Sequence, residues 1–273
     1  NIQRGGPSTG LPTKTAQSDL LQALYGRNGE CPLVVVSCSS PADCFEATIE
    51  ACRIAVEHMV PVILLSDGYI ANGSEPWRPP ELDSLKKFEF EFYTDPETFQ
   101  PYSRDPQSLA RPWATPGTPG LQHRVGGLEK QNITGNVCYD SENHEEMCRL
   151  RAEKVARVAN YIPEAEVVGA QKGKLLVISW GGTQGSIAGP VNRAVEAGKE
   201  VGWVHLRYLN PLPRNLGEVI AGFDKIVVPE LNLGQLVRVI RDQYVVPAIA
   251  YNKIQGRPFT TNDIASLLEE HLS

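Results

Sequence analysis

LVVVSCSSPADCFEATIEACRIAVEHMVPVILLSDG, residues 33–68, decides the reading of the fold. Leu33–Ser37 is apolar and β-branched, the signature of a buried strand. Ser40 is placed to cap a helix, with Pro41 at its first position. Phe45, Ile49, Cys52, Val56 and Met59 then follow at helical spacing and predict one apolar face. Pro61–Ser66 is a second apolar strand, closed by Asp67-Gly68. Strand, helix and strand with short joints make a βαβ unit, so the two strands are expected to lie parallel.

The same alternation returns toward the C-terminus. Strands are expected at Leu175–Trp180, Val201–Leu206, Lys225–Val228 and Ala248–Tyr251. Helices are expected at Ser186–Ala197, Leu216–Ala221, Leu233–Tyr244 and Thr261–Leu272, giving a small doubly wound α/β unit. Ahead of residue 33, the run from Arg4 to Thr13 holds three glycines and two prolines, which predicts a loop of defined shape, neither helix nor central strand. Between Pro76 and Pro119 lie 9 of the 21 prolines, so no long regular element fits there. Such a segment suits a lid, a binding arm or a connection between domains. Met147, Leu150, Val155, Val158 and Ile162 share one face of a helix expected over Ser141–Ile162, with Glu145 and Glu146 in its early turns.

The 273 residues carry 26 Lys and Arg against 32 Asp and Glu, a net charge of −6. An acidic chain with no basic stripe is not expected to bind nucleic acid. The longest apolar run, Met59–Leu65, is far shorter than the ~20 residues of a bilayer span, so no membrane partner is expected. No charged n-region with an apolar run opens the sequence, and a folded, cytoplasmic protein is the expectation. Asn1 stands where a start methionine would, and Ile2-Gln3-Arg4 reads as the exit of a strand, as in a piece of a longer polypeptide. Cysteines 31, 38, 44, 52, 138 and 148 show no paired metal-ligand spacing and are expected to be free structural thiols, Cys44 and Cys52 within the first helix.

Four constellations are candidates for chemistry. Gly181-Gly-Thr-Gln-Gly185, between a strand and a helix, either cradles a phosphate or makes a tight turn; Arg207, not an acid, follows the next strand, and the tight turn is preferred. Arg4, with Ser8, Thr9 and Thr13, offers a guanidinium fork and hydroxyl donors suited to a carboxylate, or else a surface ion pair. Glu230-Leu-Asn-Leu-Gly234 and Asn252–Pro258 fall at C-terminal ends of strands, where either ligands or subunits dock. His58, His123, His144, His205 and His271 have no metal spacing and are expected to be structural or solvated, so no metal is assigned to this chain.

Several blocks are more specific: Gln3–Thr13, Ile63–Pro76, Ala114-Thr-Pro-Gly117, Gly127-Leu-Glu129, Val228–Gln235 and Gln255–Phe259. Together, and in this order, they resemble the alpha subunit of 2-oxoacid:ferredoxin oxidoreductases, most closely the 2-oxoglutarate type (2-oxoglutarate synthase). The resemblance implies a heteromeric enzyme with thiamine diphosphate, Mg2+ and iron–sulfur clusters. It converts a 2-oxo acid and coenzyme A into an acyl-CoA, succinyl-CoA for 2-oxoglutarate, with carbon dioxide and reduced ferredoxin. It implies an α/β fold in which residues 1–80 are the latter part of a pyrimidine-side thiamine-diphosphate-binding domain, 81–170 a proline-rich connection with a linker helix, and 171–273 a transketolase C-terminal-like doubly wound domain. Arg4 and Thr13 match positions that contact substrate, Arg4 taking its carboxylate in the catalytic complex; Ser8 and Thr9 lie in the same loop.

The departures are as informative. The family's alpha chain has an earlier half of the pyrimidine-side domain with a Tyr-Pro-Ile-Thr-Pro motif, and often a fused gamma domain, neither of which appears here. The Gly-Asp-Gly…Asn diphosphate motif and the cluster cysteines are also missing, and the family places them on a beta subunit. The resemblance therefore implies activity only with that beta subunit. Alternatives that remain are pyruvate or branched-chain specificity, a thiamine-dependent transferase, and a non-catalytic interaction or nucleotide-binding module.

Overall fold

The computed structural model describes residues 1–85 and 87–273. The chain starts with a hairpin, β1 (Ile2–Gly5) and β2 (Leu11–Thr15), and continues through α1 (Leu20–Tyr25). The βαβ unit follows as β3 (Val34–Ser37), α2 (Asp43–Glu57) and β4 (Val62–Asp67), then α3 (Gly68–Asn72) and, after the proline-rich segment, α4 (Ser141–Arg157). The rest is β5 (Val168–Gly169), β6 (Gly173–Trp180), α5 (Gln184–Glu196), β7 (Val201–Leu206), β8 (Tyr208–Asn210) and α6 (Leu216–Ala221). β9 (Phe223–Glu230), α7 (Leu236–Tyr244), β10 (Ile249–Asn252) and α8 (Thr261–Leu272) complete it.

Two five-stranded sheets result, ordered β2-β1-β4-β3-β8 and β10-β9-β6-β7-β5. β3 and β4 are parallel, as the short crossover demands, with Val35 opposite Ile63. In the second sheet β6 runs parallel to both β7 and β9. Its residues alternate between two cores: Leu176, Ile178 and Trp180 face α6 and α7, whereas Leu175 and Val177 face α5 and α8. That period of two, with helices on both faces, is the doubly wound arrangement. Tyr208–Asn210 leaves its neighbours and pairs antiparallel with β3, so the later part of the chain closes the first sheet.

Three expectations change. The Arg4–Thr13 run is not a loop throughout: β1 hydrogen-bonds to β2 and also to β4, which makes it an interior strand. Gly6, Pro7 and Gly10 fall in the turn, Gly5 ends β1 beside a register shift, and Pro12 lies in the edge strand β2, where a ladder bond can be spared. The first helix also turns another face to the core. Ala47 and Ile54 are fully buried, while Cys52 is exposed. Phe45, Val56 and Met59 lie half-buried under the proline-rich segment: Phe45 packs on Trp77 at 5.1 Å, and the Val56 carbonyl accepts from Trp113 Nε1 at 2.9 Å. Two apolar faces overlap on one helix, so periodicity alone could not choose between them. Finally, regular helix starts at Asp43, although the Ser40 hydroxyl does accept from the Asp43 N–H at 3.3 Å.

The proline-rich segment holds one short 3-10 turn, Leu82–Ser84, and isolated bridges such as Phe92 to Trp113 among the described residues. The six cysteines are free, and burial pushes the Cys44 thiol up to about 12. Among the described residues no helix is long and apolar enough to cross a membrane.

Candidate functional site

Strand ends rather than strand interiors build the site. β4 stops at Asp67, whose carboxylate is 1% exposed and caps α3 by accepting from Tyr69 N–H at 2.8 Å and Ile70 N–H at 3.1 Å. An Asp at this point is the helix-start signal that Asp67-Gly68 carries in the sequence. The same carboxylate accepts from the Thr15 hydroxyl of β2 at 2.9 Å and from Gly182 N–H at 3.0 Å. Gly182 belongs to the turn after β6. One side chain thus joins the hairpin, the end of β4 and the glycine turn of the second sheet.

Gln17 makes the second tie. Its amide nitrogen donates to the Trp180 carbonyl at 2.7 Å, and its amide oxygen accepts from Leu231 N–H at 2.9 Å. Its backbone N–H donates to the Leu231 carbonyl at 3.0 Å, and its carbonyl accepts from Asn232 Nδ2 at 2.7 Å. Glu230, fully buried at the end of β9, accepts from the Leu236 and Val237 N–H groups at 2.8 and 3.0 Å, and so caps α7. Burial pushes its carboxyl above the usual carboxylate range, an effect opposed by these donors and by Asn232 and Trp180. The C-terminal edges of both sheets therefore meet in one seam.

Three of the four constellations converge here. In the Gly181–Gly185 turn the preferred reading holds: Gly181 has φ of +60° and an added Cβ would lie 2.9 Å from Gln17 Nε2. The N–H of Gly182, which a phosphate would need, is already given to Asp67. In Glu230–Gly234, Leu231 and Asn232 lock onto Gln17 inside this chain, whereas Leu233 stands exposed. The 252–258 loop lies against the hairpin, where a Cβ on Gly256 would come within 2.8 Å of Lys14 Cβ.

Arg4 sits at the end of β1, partly exposed, its backbone carbonyl accepting from the Ser18 hydroxyl at 3.2 Å. The guanidinium donates to the Thr9 carbonyl, and among the described residues no carboxylate pairs with it. Ser8, Thr9 and Thr13 are exposed, Ser8 in the turn with φ of +55° and Thr13 in β2. Arg4 and the three hydroxyl residues therefore share one hairpin, and a cation with unused donors faces outward from it. Gln17, Thr15 and Asp67, which fix that hairpin, were not singled out in the sequence; only the Asp-Gly step at the strand end signalled one of them.

The histidines stand apart. His205 Nδ1 lies 2.8 Å from the Ser179 hydroxyl, and burial pushes the ring down to about 4. His58 is buried, its pKa lowered by burial and then by Arg53. Among the described residues no group of three or more His, Cys, Asp or Glu could hold a metal ion. The proline-rich segment ties to α2 and α4 through Trp113 and through Arg157, which donates to the Pro106 carbonyl at 2.7 Å.

Comparison with known proteins matches residues 1–139 to a family model described as pyruvate flavodoxin/ferredoxin oxidoreductase, thiamine diphosphate-binding. The 2-oxoglutarate oxidoreductase subunit KorA of Mycobacterium tuberculosis is 51% identical over the whole of this chain, which spans 42% of that protein. The 2-oxoglutarate synthase subunit KorA of Methanothermobacter thermautotrophicus is 30% identical over 86% of this chain and 62% of its own length. A solved structure of the 2-oxoglutarate:ferredoxin oxidoreductase from Magnetococcus marinus, with 2-oxoglutarate, coenzyme A and succinyl-CoA bound, superposes with a TM-score of 0.92 at 33% identity. That match covers 100% of this chain and 48% of the Magnetococcus chain, so the sequence spans about half the length of the relatives it matches.

Proposed function

The chain belongs to the pyruvate flavodoxin/ferredoxin oxidoreductase family, and from that premise we propose that it is part of the alpha subunit of a 2-oxoglutarate:ferredoxin oxidoreductase. In this reading a complete complex with a beta subunit takes 2-oxoglutarate and coenzyme A to succinyl-CoA and carbon dioxide, and passes the electrons to ferredoxin. Residues 1–80 serve as the latter part of the pyrimidine-side domain, 81–170 as the connection and 171–273 as the transketolase C-terminal-like domain. The six free thiols support a reducing, cytoplasmic setting.

The observation that carries the reading is Arg4: a guanidinium without a carboxylate partner, held on a hairpin that Asp67 and Gln17 anchor at the meeting of two sheet edges. An α/β chain binds ligands outside such edges. The fork of Arg4 suits the substrate carboxylate, and charge-assisted bonds of this kind are worth ~1.5–3 kcal/mol each. The hairpin contributes position: it holds the acid in one orientation before reaction. Thr13 and the hydroxyls of Ser8 and Thr9 supply further donors on the same surface.

The described residues do not fit the metal and diphosphate end of thiamine diphosphate. Among the described residues no group of His, Cys, Asp or Glu could hold a metal ion, and the Gly182 N–H of the glycine turn is taken by the Asp67 carboxylate. In this reading Mg2+, the diphosphate and the iron–sulfur clusters belong to the beta subunit, and this chain's part is to bind and orient the oxo acid.

Arg4→Ala in the complete alpha–beta complex is the test. Reduction of ferredoxin or a viologen with 2-oxoglutarate should lose at least roughly tenfold in kcat/KM, one decade corresponding to ~1.4 kcal/mol. Arg4→Lys, which keeps the charge and loses the fork, should fall in between. Unchanged kinetics in Arg4→Ala would remove the residue from substrate binding, and a higher kcat/KM for pyruvate or a branched-chain oxo acid would overturn the assignment to 2-oxoglutarate.

A further inference from the structure

We propose that a cavity between the proline-rich segment and α4 is a binding site for a phosphate-bearing anion. The cavity has a volume of about 390 Å3, and its walls carry Arg104, Arg111, Lys130, Arg151 and Lys154 against a single carboxylate, Glu129. Five cations face one anion in a chain that is acidic as a whole.

Most of these cations have neutral partners. Arg104 donates to the Tyr102 carbonyl at 3.1 Å and to the Asn132 side-chain oxygen. Arg111 lies over the Tyr102 ring, 4.4 Å from its centroid, and Lys154 Nζ donates to the Met59 carbonyl at 2.7 Å. Lys130 Nζ points at the Gly126 and Leu128 carbonyls. Arg151 alone among the five reaches an acid, Glu129 at 3.2 Å, and that acid is shared with His144 at 2.7 Å. Glu146, the next acid along α4, accepts from Asn132 Nδ2 and not from a cation of the cavity.

Like charges confined in a partly dry cavity repel, and Glu129 beside Arg151, with Glu146 acting on Arg104, offsets only part of that repulsion. Burial, then Arg111 and Arg104, push the Lys154 ammonium down to about 8; burial and Arg111 lower Arg104 as well. An anion placed among these groups relieves both strains and gains forked hydrogen bonds from the arginines. Phosphate fits better than carboxylate because it presents three oxygens and a second negative charge to donors arriving from several sides. The volume lies within the ~300–1,000 Å3 of ordinary ligand pockets, so the phosphate arrives as a pyrophosphate or on an organic body.

Position separates this cavity from the Arg4 hairpin. Met59, whose carbonyl holds Lys154, precedes β4, whereas Asp67 and the hairpin lie at the far end of that strand. Six residues of β4 put about 20 Å of sheet between them. The chemistry has two sources: free inorganic pyrophosphate, or the phosphate end of coenzyme A. Only the second rests on the function proposed above.

Calorimetric titration of the full-length alpha–beta complex tests the site. The complex is first saturated with thiamine diphosphate and desalted, and inorganic pyrophosphate is the probe at about 0.15 M ionic strength. Arg104→Gln and Lys154→Gln should each weaken binding at least roughly tenfold, the scale of one lost charge-assisted contact. Glu129→Gln should tighten it, because it removes the only acid on the cavity wall and frees Arg151; a misfolded variant cannot produce that sign. Displacement of pyrophosphate by coenzyme A, but not by pantetheine, identifies the carrier; failure of coenzyme A to displace it assigns the free anion. Because binding is read without turnover, an inactive complex that still binds leaves the site standing. No uptake by the wild-type complex, or equal uptake by all variants, overturns the proposal and leaves the cavity to carboxylates of the protein itself.

Discussion

Replacing Asp67 by alanine should loosen the seam between the two sheets more than any other single polar change. Its carboxylate accepts four hydrogen bonds, from Thr15 Oγ1, Tyr69 N–H, Ile70 N–H and Gly182 N–H, at 2.8–3.1 Å. The helix cap is worth about 1 kcal/mol. Each of the other two bonds, to a buried charge, is worth about 1.5–3 kcal/mol. The contributions sum to about 4–7 kcal/mol, and relaxation around the gap brings the expected loss to at least about 3 kcal/mol. In thermal unfolding of the full-length subunit this lowers the Tm, by less per kcal/mol than the ~2–4 °C of a 150–250-residue protein because the subunit is longer. A second substitution checks the cause. An alanine Cβ at Gly182 would lie 2.5 Å from Asp67 Oδ2, so Gly182→Ala should cost about 1–3 kcal/mol in the native background. It should cost far less once Asp67 is alanine. A loss below about 1 kcal/mol for Asp67→Ala, or the same cost of Gly182→Ala in both backgrounds, would refute the seam as described.

Two further outcomes follow from the second sheet. His205 is held neutral, its pKa pushed to about 4 from an unfolded value near 6.5. The unfolded chain therefore binds more protons between those values, and stability should fall as pH drops from about 6.5 toward 4, by at most about 3 kcal/mol from this residue. His205→Gln should flatten that part of a denaturation-against-pH curve, with a smaller slope left by His58, and an unaltered curve would show that His205 does not titrate as described. Gly202→Ala would drive a Cβ to 2.5 Å from Phe223 Cζ and 2.6 Å from the Ala170 carbonyl, within β7. A stability loss of about 1–3 kcal/mol is expected by urea unfolding, and a neutral result would mean that β5 and β9 yield easily.

The stretches that lie in repeating patterns were legible without coordinates. β7, α6 and α8 fall on the residues where apolar spacing puts them, Val201–Leu206, Leu216–Ala221 and Thr261–Leu272. β3 and β4 pair in parallel because a fifteen-residue helix between two strands leaves no other economical connection. The motif blocks pointed to the family for the same local reason: they are contiguous in the chain.

Long-range choices were not legible. Whether α2 turned Cys52 or Ile54 inward depended on what covered each face, and the covering residues, Trp77 and Trp113, lie tens of positions away. The Arg4 run became an interior strand because β4 supplied a neighbour for its free edge. Asp67, Gln17 and Gly182 stand at 67, 17 and 182 with no common spacing; they meet only because the two sheets bring the C-terminal ends of β4, β6 and β9 together. Periodic burial is dictated locally by the geometry of helix and strand, whereas a hydrogen bond between residues more than a hundred positions apart exists only after the elements have packed, and that packing decided the site.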